Sequence, residues 1–352
     1  MSARMAPMQG SEPPIAVLEA WNLASARLSP LGSGLINRTW LVANGADRYV
    51  LQQVNPVFPP DIHEDIRVVT AHLRSRGMVA PELLPAADGR WWVEHSGHVY
   101  RLMTHINGVS RDRLATPAEA REAGTLLARF HRALDGLEHE FRSQRLGVHD
   151  TERHLEVLRQ SLVEHTAHRD YAAIRPLADE ILQLAAALPR LPSVPDRIVH
   201  GDPKINNLLF DTATGHALCF IDLDTLGRMP LPLELGDAFR SWCNPAGEDN
   251  GQSAFAMDLF TAAVDGYAGV AAGWITPEES GAIVSGTLTI YVELAARFCA
   301  DALRESYFGW DARRFASRSA HNQVRAASQL SAARALWDAR SAAEEAVRRA
   351  FG

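Results

Sequence analysis

The feature that most constrains the fold of this chain is a pair of short motifs near its middle. Residues 200–207 read His-Gly-Asp-Pro-Lys-Ile-Asn-Asn, and residues 221–224 read Ile-Asp-Leu-Asp. Asp202 precedes Asn207 by five positions, and Asp222 follows Asp202 by 20 positions, at the end of the apolar run 217–221. This order predicts a loop, a short strand, a turn, a second strand and then an acidic side chain.

The residue types in these motifs suit phosphoryl transfer. A carboxylate such as Asp202 can orient and deprotonate a hydroxyl group. Magnesium, which bridges the phosphates, takes hard oxygen ligands of the kind that Asn207 and Asp222 offer. Each residue alone has an ordinary explanation, since Asp is common in turns and at strand ends. The joint pattern predicts a kinase-like site with Asp202 as the catalytic base and with Asn207 and Asp222 as metal ligands.

The loop resembles that of the aminoglycoside phosphotransferase superfamily, which reads His-Gly-Asp with an Asn five positions after the Asp. A narrower resemblance is to the N-acetylhexosamine 1-kinases. It is carried by 34–40, 49–55, Thr225, Glu293, Arg297-Phe298, Tyr307-Phe308 and His321-Asn322 to Arg325. The resemblance spans residues 30 to 330. It implies a protein-kinase-like, two-lobe α+β fold with a small, mainly antiparallel β N-lobe and a large helical C-lobe.

The run of local patterns fits that division. Residues 1–13 are expected to be a disordered arm. Residues 14–105 contain several strand-like stretches and one amphipathic helix at 61–76, and they are expected to form the nucleotide-binding lobe. Residues 106–352 are mostly helical in pattern, and they are expected to hold the catalytic loop and the acceptor pocket.

Five residues are predicted to bind the nucleotide. Ser33 and Gly34 belong to a Gly-Ser-Gly stretch that could cover phosphates, although such a stretch is also an ordinary turn. Gln52 matches the strand position where kinases usually carry a lysine. This departure leaves open a silent, pseudokinase-like module. Met103 and Ile106 lie in the segment that the resemblance assigns to the adenine-binding hinge, where core packing is the alternative role.

The acceptor side is predicted from Asp224, Arg297 and Tyr307. Asp224 either lines the acceptor pocket or holds the metal loop, which is the loop that carries the predicted ligand Asp222. Arg297 and Tyr307 belong to the tail that resembles the N-acetylhexosamine kinases, and Arg297 could instead pair with a carboxylate of the fold. Lys204 could contact the transferred phosphate or be an ordinary surface lysine.

The function that follows is ATP- and magnesium-dependent phosphorylation of a small hydroxylated molecule. The first choice is a sugar, an N-acetylhexosamine phosphorylated at its anomeric hydroxyl. The alternative is an aminoglycoside or amino alcohol. Such a cationic acceptor needs carboxylates, which the helical region offers in Glu234, Glu248, Asp249 and Glu278-Glu279.

Bulk composition narrows the class of protein. The chain has 352 residues, of which 47% are hydrophobic, enough for two lobes around one cleft or for two domains. A net charge of −7 without a Lys/Arg-rich face argues against a nucleic-acid partner. Cys219, Cys243 and Cys299 are too widely spaced for a metal pair or a disulfide framework, so buried thiols in a reducing cytoplasm are expected. No signal peptide and no membrane partner are expected, because no apolar run has the required length.

Overall fold

The structure is a computed structural model, and it describes residues 12–32, 36–144, 147–251 and 253–352. By its contacts the chain divides into two compact units. The first unit takes residues 1–107, 136–144 and 221–226, and the second takes 108–135, 145–220 and 227–352. The predicted disordered arm at 1–13 lies almost wholly outside the described residues.

The first unit is built on a six-stranded antiparallel sheet. Its strands are β1 (Arg27–Pro30), β2 (Arg38–Asn44), β3 (Asp47–Val54), β4 (Leu83–Leu84), β5 (Val93–His95) and β6 (His98–Thr104). Their order is β1-β2-β3-β6-β4, with β5 also paired to β6. Helices α1 (Ile15–Glu19) and α2 (Ile62–Ser75) complete the unit. The predicted helix at 61–76 is therefore confirmed.

Side-chain alternation explains this sheet. Leu51 of β3, Trp40 and Val42 of β2, and Leu102 of β6 are buried in one core. The β2–β3 hairpin turns at Gly45, whose φ of +61° is the left-handed conformation that glycine adopts without steric cost.

Two segments that follow residue 107 also belong to the first unit, which a single boundary at 105/106 does not anticipate. The carboxylate of Asp65 in α2 accepts hydrogen bonds from the backbone N–H groups of Arg142 and Ser143 and contacts His139 Nε2 at 2.8 Å. Residues 221–226 are tied to β6 by an ion pair between Asp224 and Arg101. Such bonds join residues 74 to 123 positions apart and leave no local sequence signal.

The second unit is mainly helical. Its short strands are β7 (Val109–Ser110), β8 (Asp196–Val199), β9 (Leu208–Phe210), β10 (Ala217–Phe220) and β11 (Gly227–Pro230). They form the sheets β10-β9-β7 and β11-β8. Its helices are α3 (Pro117–Ala133), α4 (Thr151–Glu164), α5 (Tyr171–Ala187), α6 (Leu231–Trp242), α7 (Met257–Ala271), α8 (Pro277–Gly281), α9 (Ile283–Arg304), α10 (Arg318–Asp338) and α11 (Arg340–Phe351).

Helix α9 is the core of the second unit. Among the described residues it is the one helix that is long and apolar enough to cross a membrane, but 89% of that apolar stretch is buried inside the protein. Burial of this kind is what a core helix needs. All three cysteines are free and buried, as predicted. The α+β class, with an antiparallel sheet in the N-terminal part and a helical C-terminal part, is confirmed.

Candidate active site

The motif at 200–207 forms a loop between β8 and β9, and its second residue requires glycine. Gly201 has a φ of +82°, in the left-handed region that other residues adopt at a steric cost. The loop ends in a single turn of 3₁₀ helix, Ile205–Asn207. The predicted order of loop, strand, turn and strand is confirmed by β9 and β10.

Helix α6 holds the backbone of this loop. The buried carboxylate of Glu234 accepts hydrogen bonds from the N–H groups of His200 and Gly201, at 3.0 and 3.1 Å. Ser241 Oγ accepts from the N–H of Ile205 at 3.0 Å, and Trp242 Nε1 donates to the Pro203 carbonyl at 2.9 Å. Glu234, which the sequence offered as a carboxylate for a cationic acceptor, therefore supports the loop backbone instead.

Three side chains meet within the loop. Lys204 Nζ forms an ion pair with Asp202 Oδ2. Asn207 Nδ2 donates to the Asp202 carbonyl at 2.8 Å and to Asp202 Oδ2 at 3.2 Å. With Nδ2 directed at Asp202, Oδ1 is the amide atom that remains for a cation. The predicted base and the predicted metal-binding amide are thus in direct contact.

Lys204 is marked in the sequence by its residue type as well as by its place in the motif. The chain has 35 lysines and arginines, and Lys204 is the only lysine among them. An arginine stands at every other cationic position, so a compact ammonium group has been placed only beside Asp202. Lysine and arginine are not interchangeable, because the first is a point charge and the second a planar fork.

The charges around Asp202 set its protonation. Burial alone would raise the pKa of Asp202, but the Lys204 ammonium, followed by His200 and Arg240, outweighs burial and places the pKa below the ordinary carboxyl value of 3.8. Burial raises the pKa of the neighbouring Asp237, and the negative charge of Asp202 adds to that rise. The Lys204 ammonium therefore favours the charged carboxylate form of Asp202.

Arg297 and Tyr307 are brought together in the second unit. The Arg297 guanidinium lies 5.7 Å from the ring centroid of Phe308, and the Tyr307 ring meets the same ring edge to face at 4.8 Å. The buried carboxylate of Asp301 fixes this segment by accepting from the N–H groups of Tyr307 and Phe308, at 2.8 and 2.9 Å. No sequence motif indicates this role for Asp301.

The acidic side chains of the helical region are mostly paired with cations. Arg240 binds Asp237 and Glu248, and Asp249 binds His321 and Arg325. Glu293 contacts His149 and Thr151, and Arg297 lies 3.6 Å from it. Burial works against the charge of both His149 and Glu293, but their hydrogen bond raises the pKa of His149 and lowers that of Glu293. Arg297 thus has a protein carboxylate as partner, which is the alternative role expected for it from the sequence.

Asp222 and Asp224 lie in the first unit. Asp222 has φ and ψ of 61° and 58°, a left-handed backbone that is uncommon for a residue other than glycine. Asp224 is buried, and its two oxygens accept from Arg101 Nη1 at 2.5 Å and from Asn37 Nδ2 at 2.6 Å. These bonds favour the alternative in which Asp224 holds the metal loop over the one in which it binds substrate.

Gln52 is linked to Asp224 by Arg101, which donates hydrogen bonds to both side chains. Its Oε1 accepts from Arg101 Nε and Nη2 at 2.9 and 2.7 Å, and its Nε2 donates to Thr39 Oγ1 at 3.1 Å. Met103 on β6 is buried, and Ile106 beyond the strand is partly buried. Ser33 and Gly34, the predicted phosphate-covering residues, lie outside the described residues.

The donor chemistry around these motifs fits magnesium. Within 12–32, 36–144, 147–251 and 253–352, no three His, Cys, Asp or Glu side chains are close enough to hold a metal ion by themselves. Magnesium does not need such a cluster, since one or two protein oxygens with water and substrate phosphates complete its shell. The amide oxygen of Asn207 and the carboxylate of Asp222 are donors of the required kind.

Solved structures share this fold. A microcompartment-associated aminopropanol kinase matches with a TM-score of 0.64 and 17% identity, covering 94% of this chain and 97% of its own. An aminoglycoside phosphotransferase from Alicyclobacillus acidocaldarius matches with a TM-score of 0.61 and 17% identity, covering 98% of each chain. A thermostable mutant of aminoglycoside phosphotransferase APH(4)-Ia, solved with ADP and hygromycin B, has a TM-score of 0.51 and 17% identity, covering 90% and 96%. At these identities the likeness establishes the kinase-like fold.

The sequence itself decides the family. It matches the family model of the phosphotransferase enzyme family over residues 27–272, a stretch that contains the whole N-terminal sheet, the loop at 200–207 and the motif at 221–224. Because that stretch is more than half of the chain, the protein belongs to the phosphotransferase enzyme family and is a small-molecule phosphotransferase.

Proposed function

We propose that this phosphotransferase is ATP- and magnesium-dependent and moves the γ-phosphoryl group to a hydroxyl group of a small molecule. The observation that carries the proposal is the loop at 200–207, in which Asp202 is in contact with both Lys204 and Asn207. ATP as the donor is supported by the related structure that contains ADP.

The roles of the side chains follow from their chemistry. Asp202, ionised at neutral pH, orients the acceptor hydroxyl and takes its proton. Lys204 supplies positive charge for the oxygens of the transferred phosphoryl group. Asn207 and Asp222 each carry an oxygen that would serve as a magnesium ligand, and the ion would supply positive charge to the phosphates. The alternative of a silent module rests on Gln52 replacing a strand lysine. The silent-module alternative is weakened because Arg101 places a buried cation beside Gln52.

The comparisons favour an amine-bearing alcohol as the acceptor class. The related structures include a kinase for aminopropanol and an aminoglycoside phosphotransferase with hygromycin B. An aminoglycoside or amino alcohol is therefore the first candidate, ahead of the sugar that the sequence resemblance placed first.

One observation keeps an N-acetylhexosamine as the second candidate. Of the five carboxylates named for a cationic acceptor, Glu234 binds loop backbone, Glu248 binds Arg240, Asp249 binds His321 and Arg325, and Glu279 binds Arg197. A cationic acceptor would have to compete with these cations, whereas a neutral sugar would not. Arg297 and Tyr307 offer the sugar a donor fork and an aromatic face.

A panel of acceptors tests the proposal. ADP release is measured with 1-amino-2-propanol, choline, homoserine, kanamycin, N-acetylglucosamine, N-acetylgalactosamine and glucose. Turnover on the amine-bearing members alone supports the first candidate, and turnover on the N-acetylhexosamines alone supports the second. Acceptor-independent ADP release in every case would contradict phosphoryl transfer to a small hydroxylated molecule of either class.

A variant pair on helix α9 then tests the tail. If the acceptor is the N-acetylhexosamine, Arg297→Ala raises the acceptor KM more than the ATP KM, because Arg297 contacts the sugar. Arg304→Ala, which removes the same charge from the same helix and leaves Glu164 unpaired, is the matched control. An ATP-specific defect in Arg297→Ala would rule out the assignment to the acceptor.

A further inference from the structure

A buried ion pair lies beside the metal loop of the first unit. Arg101 and Asp224 are joined at 2.5 Å, and both side chains are only 1% exposed. Arg101 also donates twice to Gln52, and Asp224 also accepts from Asn37. Gln52 and Asp224 thus share one guanidinium group on β6, and Asn37 is linked to it through Asp224.

Stability does not explain such a pair. Taking two charges out of water costs more than a well-packed apolar pair, so replacing a buried ion pair with apolar side chains is often neutral or stabilising. A fixed ion pair at such a place is better explained by the geometry that it imposes. Arg101 can impose geometry on two partners at once, because its donors form a rigid fork.

The geometry concerns Asp222. Asp224 lies two residues after Asp222, in the 3₁₀ turn Leu223–Thr225, and Asp222 is the left-handed residue that precedes this turn. A left-handed residue other than glycine persists only where its surroundings hold it. The bonds from Arg101 and Asn37 to Asp224 are such a restraint, since both oxygens of the carboxylate are held.

The same pair explains the missing strand lysine. Gln52 of β3 and Arg101 of β6 are directly opposite each other in the antiparallel register. The cation that β3 lacks is thus supplied by the neighbouring strand. This cation, Arg101, binds Asp224 and so contacts the loop that carries Asp222.

We propose that Arg101 and Asp224 are positioning residues that hold the turn at 222–225 so that Asp222 can bind magnesium. The inference rests on the proposed function, in which Asp222 is a metal ligand. Partners that orient a ligating carboxylate typically change metal affinity about 10- to 100-fold when they are removed.

The test is nucleotide binding by calorimetry with and without magnesium, together with the melting temperature. Arg101→Met and Asp224→Asn are each expected to lower the gain in ATP affinity that magnesium confers by about 10- to 100-fold. Affinity for magnesium-free ATP is expected to stay near the wild-type value. Arg101→Lys, which keeps the charge but not the fork, is expected to restore part of the gain.

Two further variants separate positioning from stability. Leu18→Ala opens a cavity in the hydrophobic core of the same unit without removing any polar group of this cluster, and it should lower the melting temperature while keeping the magnesium gain. The double variant Arg101→Met with Asp224→Leu replaces both charges with apolar groups, so that no unpaired charge is left to unfold the protein. It should be folded and should lack the magnesium gain.

The outcomes distinguish this inference from the function on which it rests. If Asp222→Ala keeps the magnesium gain, the metal assignment in the proposed function is wrong. If Asp222→Ala loses the gain while the folded double variant keeps it, Asp222 is the ligand but Arg101 and Asp224 do not position it. Loss of the gain in both supports the inference.

Discussion

At the scale of single residues, the ion pair between Lys204 and Asp202 has the clearest consequence. The ammonium group is the largest of the influences that lower the pKa of Asp202 against the effect of burial, so its removal should raise that pKa. Asp202 is the base only when ionised, so Lys204→Met should shift the acidic limb of kcat/KM to higher pH. Lys204→Arg keeps the positive charge and is the matched control. Its limb should stay near that of the wild type.

The measurement is a pH profile of kcat/KM for the three proteins, with melting temperatures taken across the same pH range to confirm folding. An acidic limb that is the same in wild type and in folded Lys204→Met would show that Lys204 does not control the charge of Asp202.

Single residues also show which contacts of the site can be predicted from the sequence. Asp202 and Asn207 could be predicted to meet because they share one loop of six residues and a recognisable spacing. Glu234 and Arg101 could not, since their bonds join residues 34 and 123 positions apart. Only the three-dimensional fold brings such partners together. The special position of Lys204 could be predicted from the sequence, because it is the only lysine of the chain.

At the scale of elements, α3 and α7 pack unusually closely because each presents a glycine to the other. A Cβ atom on Gly124 would lie 2.0 Å from the Ala263 carbonyl oxygen, and one on Gly266 would lie 2.1 Å from that of Arg121. Gly124→Ala should therefore force the helices apart and destabilise the protein by about 1–3 kcal/mol.

The control is on the same helix pair. Gly269 of α7 is exposed, and a Cβ there would meet nothing within 4 Å. Gly269→Ala should stabilise the protein by up to about 1 kcal/mol, because alanine favours helix more than glycine does. Chemical denaturation of both variants measures the difference. Equal effects of the two substitutions would contradict the close approach.

Helices whose apolar residues recur at a regular helical spacing were predictable, and helices without that spacing were not. Ile62, Ile66, Val69 and Leu73 predicted α2 at 61–76, against Ile62–Ser75 in the structure. Helix α6 was harder to predict from the sequence. Pro232 stands in its first turn, and Gly236 lies within it. A Cβ atom at Gly236 would lie 2.7 Å from the backbone of α9. Its glycine serves tertiary packing at the expense of local helix propensity.

At the scale of the whole molecule, the net charge of −7 hides extensive internal pairing. The second unit neutralises Glu248, Asp249 and Glu279 with arginines, so a count of acidic residues overstates the charge that an acceptor would meet. Composition predicted an ordinary folded enzyme with buried cysteines. It could not predict which carboxylates are available, because pairing depends on tertiary contacts.

The central claim, that Asp202 drives phosphoryl transfer, is tested most directly by acceptor-dependent ADP release in Asp202→Asn. The substitution keeps the size of the side chain but removes the base, so we expect turnover to fall by about 100-fold or more. ATP binding and melting temperature should remain close to wild type. Turnover near the wild-type rate in folded Asp202→Asn would contradict the account.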